Sequence, residues 1–599
     1  MTGDEGSTTR TGISRRRFVR DSVALAAGAA VAGPATALAR RGGTANTVFR
    51  NGSVITVAGN RRAQAVAVAG GRIAYVGSDS GVASFVGAGT EVIDLGGRTL
   101  MPGIHDGHMH PLAGGRALTK PTLNYRKLDL APFIAAIRKL LERDADQEPD
   151  GWLSVDLWEP LGMDRQPTKE DLDRLPTRRP IVVIDLSGHT AVVNSRALEL
   201  AGITASTPDP KGGAIRHRRN GEPTGILLDS AIGLVTAKIP PLTTEQNADA
   251  LQAAHKEIAK RGITSYLDAS VGATELAALA ALADRGPITV RPSVAITVSP
   301  GAAADPQRML ARIEALKTTY ARAGVTIRTV KMFFDGVIEY PTQTAALLKP
   351  YRVNKGTKRD PRWVPGKRRG PTYFRQRIAN PAVAALDAAG WQVHVHAIGD
   401  RAVRSALDAF EAARKRNGKT DNRHTITHLE LIDPSDFRRF ARLGVLASMQ
   451  LHWAERDSYT VDALKPYIGR RRWRWVYPAG SLARAGATLC GGSDWPVDPL
   501  LPFRQVEMAV NRTADEVYEG YPQPLWSSEG LSLRESIAMH TRHSAFQLHQ
   551  NRTTGRIREG FAADLIVLDR DILDTRLKRV SRTNVDLTMV DGRVVHRRA

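Results

Sequence analysis

The sequence predicts an α/β chain built on a (β/α)8, TIM-like barrel. A small β-sandwich domain made from both ends of the chain accompanies it, and an α+β domain is inserted after the first barrel strand. Three observations lead there. Strand-like and helix-like segments alternate from 241 to 554, a β-rich texture appears at both ends, and residues 115–240 break the alternation. Parallel strands need a crossover between them, so alternation of this kind reads as a parallel sheet or barrel.

The barrel strands follow in order. The apolar stretch Leu100–Pro111 is the first, and Gly262–Asp268, Val290–Val298, Val325–Phe334, Gln392–His396, His424–His428, Val445–Gln450 and Ala487–Gly492 come after it. Together they make the eight that a closed barrel requires. The second strand is entered from a helix starting near Thr243. Thr243 and Gln246 have capping-box spacing, and Gly262 is placed to end the helix. The barrel is thus assigned to residues 99–114 and 241–554.

Residues 44–98 read as short strands, Thr47–Phe49, Ser53–Val57, Ala65–Val68, Arg72–Val76 and Glu91–Leu95, with tight turns at Asn51-Gly52, Gly70-Gly71 and Gly96-Gly97. Asp564–Asp569, Leu587–Val590 and Val594-Val595 share that texture, so 44–98 and 555–599 are assigned to one composite β domain. The insertion, 115–240, holds an amphipathic helix near Phe133–Glu142 and a Pro- and Gly-rich run at Thr207–Gly213.

Residues 1–39 read as an address. Ser14-Arg15-Arg16-Arg17-Phe18-Val19 is a twin-arginine signature, followed by an apolar run from Val23 to Val31 and a small-residue cleavage site at Ala37-Leu38-Ala39. The expectation is export through the twin-arginine translocation machinery to the periplasm, the cell surface or the medium. No other segment is apolar enough to span a bilayer, so no stable membrane insertion is expected.

Composition narrows the chemistry. A single cysteine, Cys490, excludes an intrachain disulfide and a cysteine-rich metal site, so any metal must sit on histidines and carboxylates. The formal charge is +23, and +21 once residues 1–39 are removed. No helix-turn-helix, zinc-finger or aromatic RNA-binding signature accompanies that charge, so nucleic acid is not an expected partner.

Candidate ligands stand at strand ends. His108 and His110 are separated by one residue, which puts both imidazoles on one face of a strand. Lys331, His396, His428 and Asp494 each close a later strand, and in a barrel all would face one C-terminal mouth. Singly, each has a plainer reading as a surface or core residue. His394 reads as a packed, hydrogen-bonded core histidine one layer below His396, and Asp400 as the cap of the helix Arg401–Arg416.

The chain resembles the amidohydrolase superfamily, in the amidohydrolase family 3 branch that contains N-substituted formamide deformylase. The resemblance is carried by PGIHDGHMHP (102–111), SGHTAVVNSRALELAGI (187–203), VKMFFDG (330–336), HVHAIGDRAV (394–403), HTITHLELI (424–432), GGSDWPV (491–497) and GFAADLIVLD (560–569). It implies a hydrolase of a linear amide or related C–N bond of a small-molecule substrate, using one or two divalent ions, zinc in the first place. His108 and His110 would bind one ion, and Lys331, carboxylated, would bridge to a second held by His396 and His428. Asp494 would be both a ligand and the proton shuttle. Action on an ester, lactone or cyclic amide, and a non-catalytic binding protein on the same fold, are the other readings. His189, His452 and Trp495 are the candidate substrate contacts, and a homodimer is left open.

Three positions depart from the family pattern: Thr427, Leu451 and His105. His105 is expected to pack beneath the site rather than to ligate. Two basic clusters, Lys355–Arg369 and Arg470–Arg474, suggest an anionic or extended substrate, with a solvated lid as the alternative.

Overall fold

A computed structural model describes residues 43–59, 62–144, 151–161, 163–210, 212–513 and 520–598. The twin-arginine segment lies outside the described residues. Among those described, no helix is long and apolar enough to cross a membrane.

Eight parallel strands form the central sheet: β1 (Ile104–Met109), β2 (Ile263–Val271), β3 (Arg291–Thr297), β4 (Thr326–Phe333), β5 (Gln392–Ala397), β6 (Thr425–His428), β7 (Leu446–Met449) and β8 (Leu489–Gly491). They lie side by side in chain order, the topology the alternation predicts. β1 and β8 do not pair as a ladder. Their junction is closed just beyond β8, where the Asp494 N–H donates to the His108 carbonyl and the His110 N–H to the Trp495 carbonyl, both at 2.7 Å. A later helix seals the same seam, with Gln547 Nε2 donating to the Gly107 carbonyl at 2.9 Å.

Local sequence explains the entries. Thr243 and Gln246 cap the helix Thr244–Lys260 reciprocally, and Gly262 turns out of it at φ +77°. The Asp400 expectation is corrected. The helix Asp400–Asn417 is capped by Gly399, while Asp400 Oδ1 accepts the Leu348 N–H at 2.7 Å and ties down the loop after β4.

The opening stretch is not one strand. Thr99–Pro102 pairs antiparallel with Leu565–Leu568 in a six-stranded sheet, and only Ile104–Met109 enters the barrel. The switch falls at Gly103, whose N–H donates to the Asp564 carbonyl at 2.9 Å. A four-stranded sheet from residues 47–94 packs on the six-stranded one through Phe49, Val66, Leu100, Leu565, Val567 and Met589. Between β1 and β2 the chain builds a five-stranded mixed sheet, Leu153–Trp158 to Pro223–Asp229, with its own apolar core.

Candidate metal centre

His108, His110, Lys331, His396, His428 and Asp494 meet at the C-terminal mouth of the barrel and line one cavity of about 490 Å3. Alternation along β1 puts His108 inward, and His110 follows the strand on the same side. Lys331 lies level with His394 across the β4–β5 ladder, and Ala397 is paired with His428 across β5–β6. His428 and Asp494 hold left-handed backbone, φ 75° and 55°. Such conformations cost about 1–3 kcal/mol each in a non-glycine residue and gather at functional sites.

Asp494 is the hub. Its Oδ1 lies 3.1 Å from His110 Nε2 and 3.3 Å from His108 Nε2, and its Oδ2 lies 3.8 Å from His428 Nδ1. Ligand atoms of His108, His110 and Asp494 all lie within 4.8 Å of one another, close enough to share an ion. His396 and His428 meet edge to face, with ring centroids 4.4 Å apart. A close approach makes this possible: a Cβ on Gly492 would stand 2.8 Å from the His108 backbone nitrogen and Cβ.

Electrostatics favour ligation. Burial, with Lys331 nearby, holds the His108 imidazole down to about 3. Burial also holds His396 and His428 well below the usual range, so all three offer neutral lone pairs. Burial would raise Asp494, but His108, His110 and His428 outweigh it and keep the carboxylate ionised. Burial pulls the Lys331 ammonium to about 7, against the pull of Asp494. Lys331 Nζ and His428 Nδ1 are buried without a hydrogen-bond partner among the described residues. Unsatisfied donors and acceptors gathered in one place are the signature of a missing ligand. The donor set of nitrogen and carboxylate oxygen suits a zinc-like dication.

Supporting residues stand behind the cluster. His394 is buried and hydrogen-bonded as expected, and the partner that the sequence could not name is His108: His394 Nε2 lies 2.8 Å from His108 Nδ1. A His108 ring that keeps Nε2 free carries its proton on Nδ1 and donates it to His394. Asp106 accepts the N–H groups of both His108 and Ser493 at 3.0 Å, tying β1 to the Asp494 loop. The signal was there in His105-Asp106-Gly107-His108, since an Asp readily accepts the N–H two residues on. Asp335 accepts from Ile398, Gly399 and Ala346, and the carbonyl of the neighbouring Gly336 stands 3.3 Å from His396 Nε2.

The candidate substrate contacts separate. His189 reaches the cavity from the inserted segment, with its Nδ1 2.7 Å from Asp229 Oδ1. His452 also lines it, 3.3 Å from Asp498. Trp495 does not line the cavity; its ring packs against Gly114, leaving no room for a Cβ there, and belongs to the apolar core behind β1. His105 packs below, its ring nitrogens on the Gly103 carbonyl and the Thr554 hydroxyl at 3.0 and 2.9 Å. Thr427 accepts from Gln450 Nε2 at 3.3 Å.

The cavity wall carries many carboxyl groups, and the two basic clusters stand away from it. Asp156, Glu159, Asp185, Glu339, Glu430, Glu455, Asp457, Asp494 and Asp498 line it, against Arg116, Lys331 and Arg504. Among the described residues, no basic side chain of 355–369 or 470–474 does. Arg472 is spent on the Ile468, Lys349 and Pro350 carbonyls, and Arg474 on Glu529. Much of the acid is structural too. Glu159 accepts the Tyr459 hydroxyl at 2.8 and 2.9 Å, Asp457 caps at Thr460, and Glu455 pairs with Arg504 at 2.8 Å.

Known proteins are similar to this chain in sequence or in fold. The Amidohydrolase family profile matches residues 91–596. The YtcJ protein of Bacillus subtilis is 29% identical over 554 residues, covering 90% of this chain and 97% of that one. The N-substituted formamide deformylase of Arthrobacter pascens is 27% identical over 558 residues, covering 90% and 96%. The solved structure of an uncharacterised metal-dependent hydrolase from Pyrococcus horikoshii shares the fold, with a TM-score of 0.67 at 24% identity, covering 89% of this chain and 99% of that one.

Proposed function

The chain belongs to the amidohydrolase family, and from that premise we propose that it is an exported metal-dependent hydrolase of a linear amide or related C–N bond. One observation carries the reading: four histidines, a lysine and an aspartate from the ends of five barrel strands converge on one cavity, with buried nitrogens left unsatisfied. The N-substituted formamide deformylase among the relatives supports the choice of bond. The twin-arginine sequence at Arg15-Arg16-Arg17 supports export.

His108, His110 and Asp494 would hold one ion. Lys331, as a carbamate, would join His396 and His428 around a second, because a bare ammonium has no lone pair to give. When bound, a dication there supplies Lewis acidity toward the scissile carbonyl and makes water a nucleophile at neutral pH.

The chain's own groups supply the rest. Asp494, ionised and central, takes the proton of the attacking water and returns it to the leaving nitrogen. His189, held by Asp229, points a donor into the cavity where it can meet the carbonyl oxygen of the substrate. His394 fixes the His108 ring, and Asp106 fixes the backbone on which His108 and Asp494 sit. The buried wall keeps bulk water away from the leaving group.

The test is turnover of a panel of N-formyl and N-acetyl amines, esters and lactones by zinc-loaded protein, with metal content measured alongside. Amide cleavage that disappears on chelation and returns with zinc supports the reading. Preferential ester or lactone cleavage would overturn the choice of bond. Retention of ¹³C-bicarbonate as a carbamate in the wild type and not in Lys331→Met would report the lysine's state.

A further inference from the structure

The two basic clusters, a hundred residues apart in the chain, meet in space. Arg472 donates to the Lys349 and Pro350 carbonyls at 2.8 and 2.9 Å. The Arg352 guanidinium lies over Gly469, where a Cβ would stand 3.2 Å from it. Residues 349–375 hold ten lysines and arginines against a single acid, Asp360, and residues 465–475 hold five against none. Among the described residues, only Arg474 of these cations pairs with a carboxylate, that of Glu529. Several of the others bond to backbone carbonyls, which leaves their charge in place. The outcome is one continuous, uncompensated basic face.

A two-stranded ribbon shapes that face. Arg352–Asn354 runs antiparallel to Trp363–Pro365 with Val353 opposite Val364, and the Lys355 N–H donates to the Arg362 carbonyl at 2.9 Å. Alternation along the strands sorts the side chains. Trp363, on one side, meets the Tyr467 ring edge-on with centroids 4.9 Å apart and seats the ribbon on the helix Lys465–Ile468. The opposite side carries Val353 and Val364 next to Lys355 and Arg362. Val353 is 40% exposed, and Tyr340, stacked on Tyr467 at 4.8 Å, is 51% exposed. Tyr340 directly follows Glu339 of the cavity wall, so the face begins at the rim of the cavity.

We infer that this ribbon and the helix beneath it form a docking surface for an anionic phospholipid bilayer, which sets the mouth of the cavity beside the membrane. A soluble polyanion asks for charge alone and would leave Val353 and Tyr340 wet. A bilayer surface offers phosphates to the cations and a boundary layer to the valine and the tyrosine ring. The attachment is peripheral, in keeping with the lack, among the described residues, of a helix able to cross a membrane. It stands whether or not the hydrolase reading does.

The test is flotation of the processed chain, from Arg40 on, because the apolar run ahead of it would bind lipid by itself. Vesicles of phosphatidylglycerol and phosphatidylcholine in equal parts are compared with vesicles of phosphatidylcholine alone. The protein should bind the mixed vesicles, release them as salt rises, and leave the neutral ones. Lys355→Gln, Lys358→Gln, Arg359→Gln and Arg362→Gln together should weaken partition at least about a hundredfold, a few-fold for each cation. A control of equal net charge, Arg308→Gln, Arg312→Gln, Lys415→Gln and Lys419→Gln, changes exposed positions on other helices and loops and should cost less than about threefold. Val353→Ser should weaken vesicle binding and leave binding of inorganic polyphosphate unchanged. Equal losses in the ribbon and control variants overturn the inference, since total charge would then explain the binding. Equal binding to both kinds of vesicle, or to neither, overturns it too. Binding of polyphosphate without binding of the mixed vesicles gives the face to a soluble polyanion instead. Melting curves show whether each variant is folded, and Val353→Ser decides if the fourfold variant is not.

Discussion

The backbone N–H of Asp494 donates to the carbonyl of His108 over 2.7 Å, so the end of the last barrel strand is fastened to the first candidate ligand histidine of the opening one. Closure of the barrel and assembly of the site are therefore one event. The carboxylate of Asp494 and the imidazole of His108 are held 3.3 Å apart by the same junction.

That relationship makes Asp494→Asn a clean probe. The amide keeps the backbone bond and the side-chain volume while removing the proton acceptor. kcat should fall by ~10²–10⁴-fold, the usual worth of a general acid–base group. The melting temperature should stay close to that of the wild type, because the seam between β1 and β8 is unchanged. A variant with wild-type kcat would remove Asp494 from the chemistry.

His394 touches His108 and does not line the cavity, so its expected role is to position the His108 ring. His394→Ala removes the partner of His108 Nδ1, at 2.8 Å, and frees the ring to rotate or change tautomer. Zinc affinity, read by competition with a chromogenic chelator, should weaken roughly 10–100-fold. His394→Gln, which keeps an acceptor near that position, should recover part of the loss. A purely packing role predicts the reverse: a lower melting temperature with zinc affinity unchanged.

The pair His189–Asp229 carries a pH signature. Burial disfavours the charged imidazole, but the hydrogen bond and charge of Asp229 outweigh it and raise His189 above its ordinary value. A raised value means that the folded protein holds the proton more tightly. The pairing is fully present below the unfolded value of about 6.5 and is lost as pH rises through the raised one. If the protonated ring donates to the substrate carbonyl, kcat/KM falls along a basic limb at that raised value. Asp229→Asn should move the limb to lower pH. A limb that does not move belongs to another group.

Which parts of this were legible in the sequence follows from chain distance. The eight strands are continuous runs with glycine or capping signals at their edges, and each candidate ligand sits at or near a strand end, so the barrel and the histidine set could be collected in order. The extent of the first strand could not. Nothing local tells Thr99–Pro102 from Ile104–Met109, and the switch at Gly103 depends on Asp564, far along the chain. The acidic wall was hidden for the same reason. Glu430 reads as one charge in a short loop, and Glu159 finds its partner Tyr459 300 residues away. The place of the basic clusters was hidden too, because charge along the sequence does not say what a side chain touches: Arg472 folds back onto backbone carbonyls.

The joint between barrel and composite sheets gives a stability prediction independent of the chemistry. Arg291 opens β3 at the end of the barrel opposite the histidine cluster. It donates to both oxygens of Asp564, Nε to Oδ2 at 2.8 Å and Nη2 to Oδ1 at 3.1 Å. The Asp564 side chain is 1% exposed against 27% for Arg291, so the carboxylate depends on this partner for most of its solvation. Besides Arg291, it accepts the Asp591 N–H at 2.9 Å. Arg291→Ala would leave a buried charge with one backbone donor. Breaking a buried pair from one side costs about 3–5 kcal/mol, and the partial exposure of Arg291, which lets water in, points to the lower end, about 3 kcal/mol. The midpoint of urea unfolding should drop accordingly, while kcat per folded molecule holds, since Arg291 touches nothing in the cavity. Arg291→Met with Asp564→Asn should restore much of the loss by removing the stranded charge. If the single variant is as stable as the wild type, the pair does not couple the barrel to the six-stranded sheet.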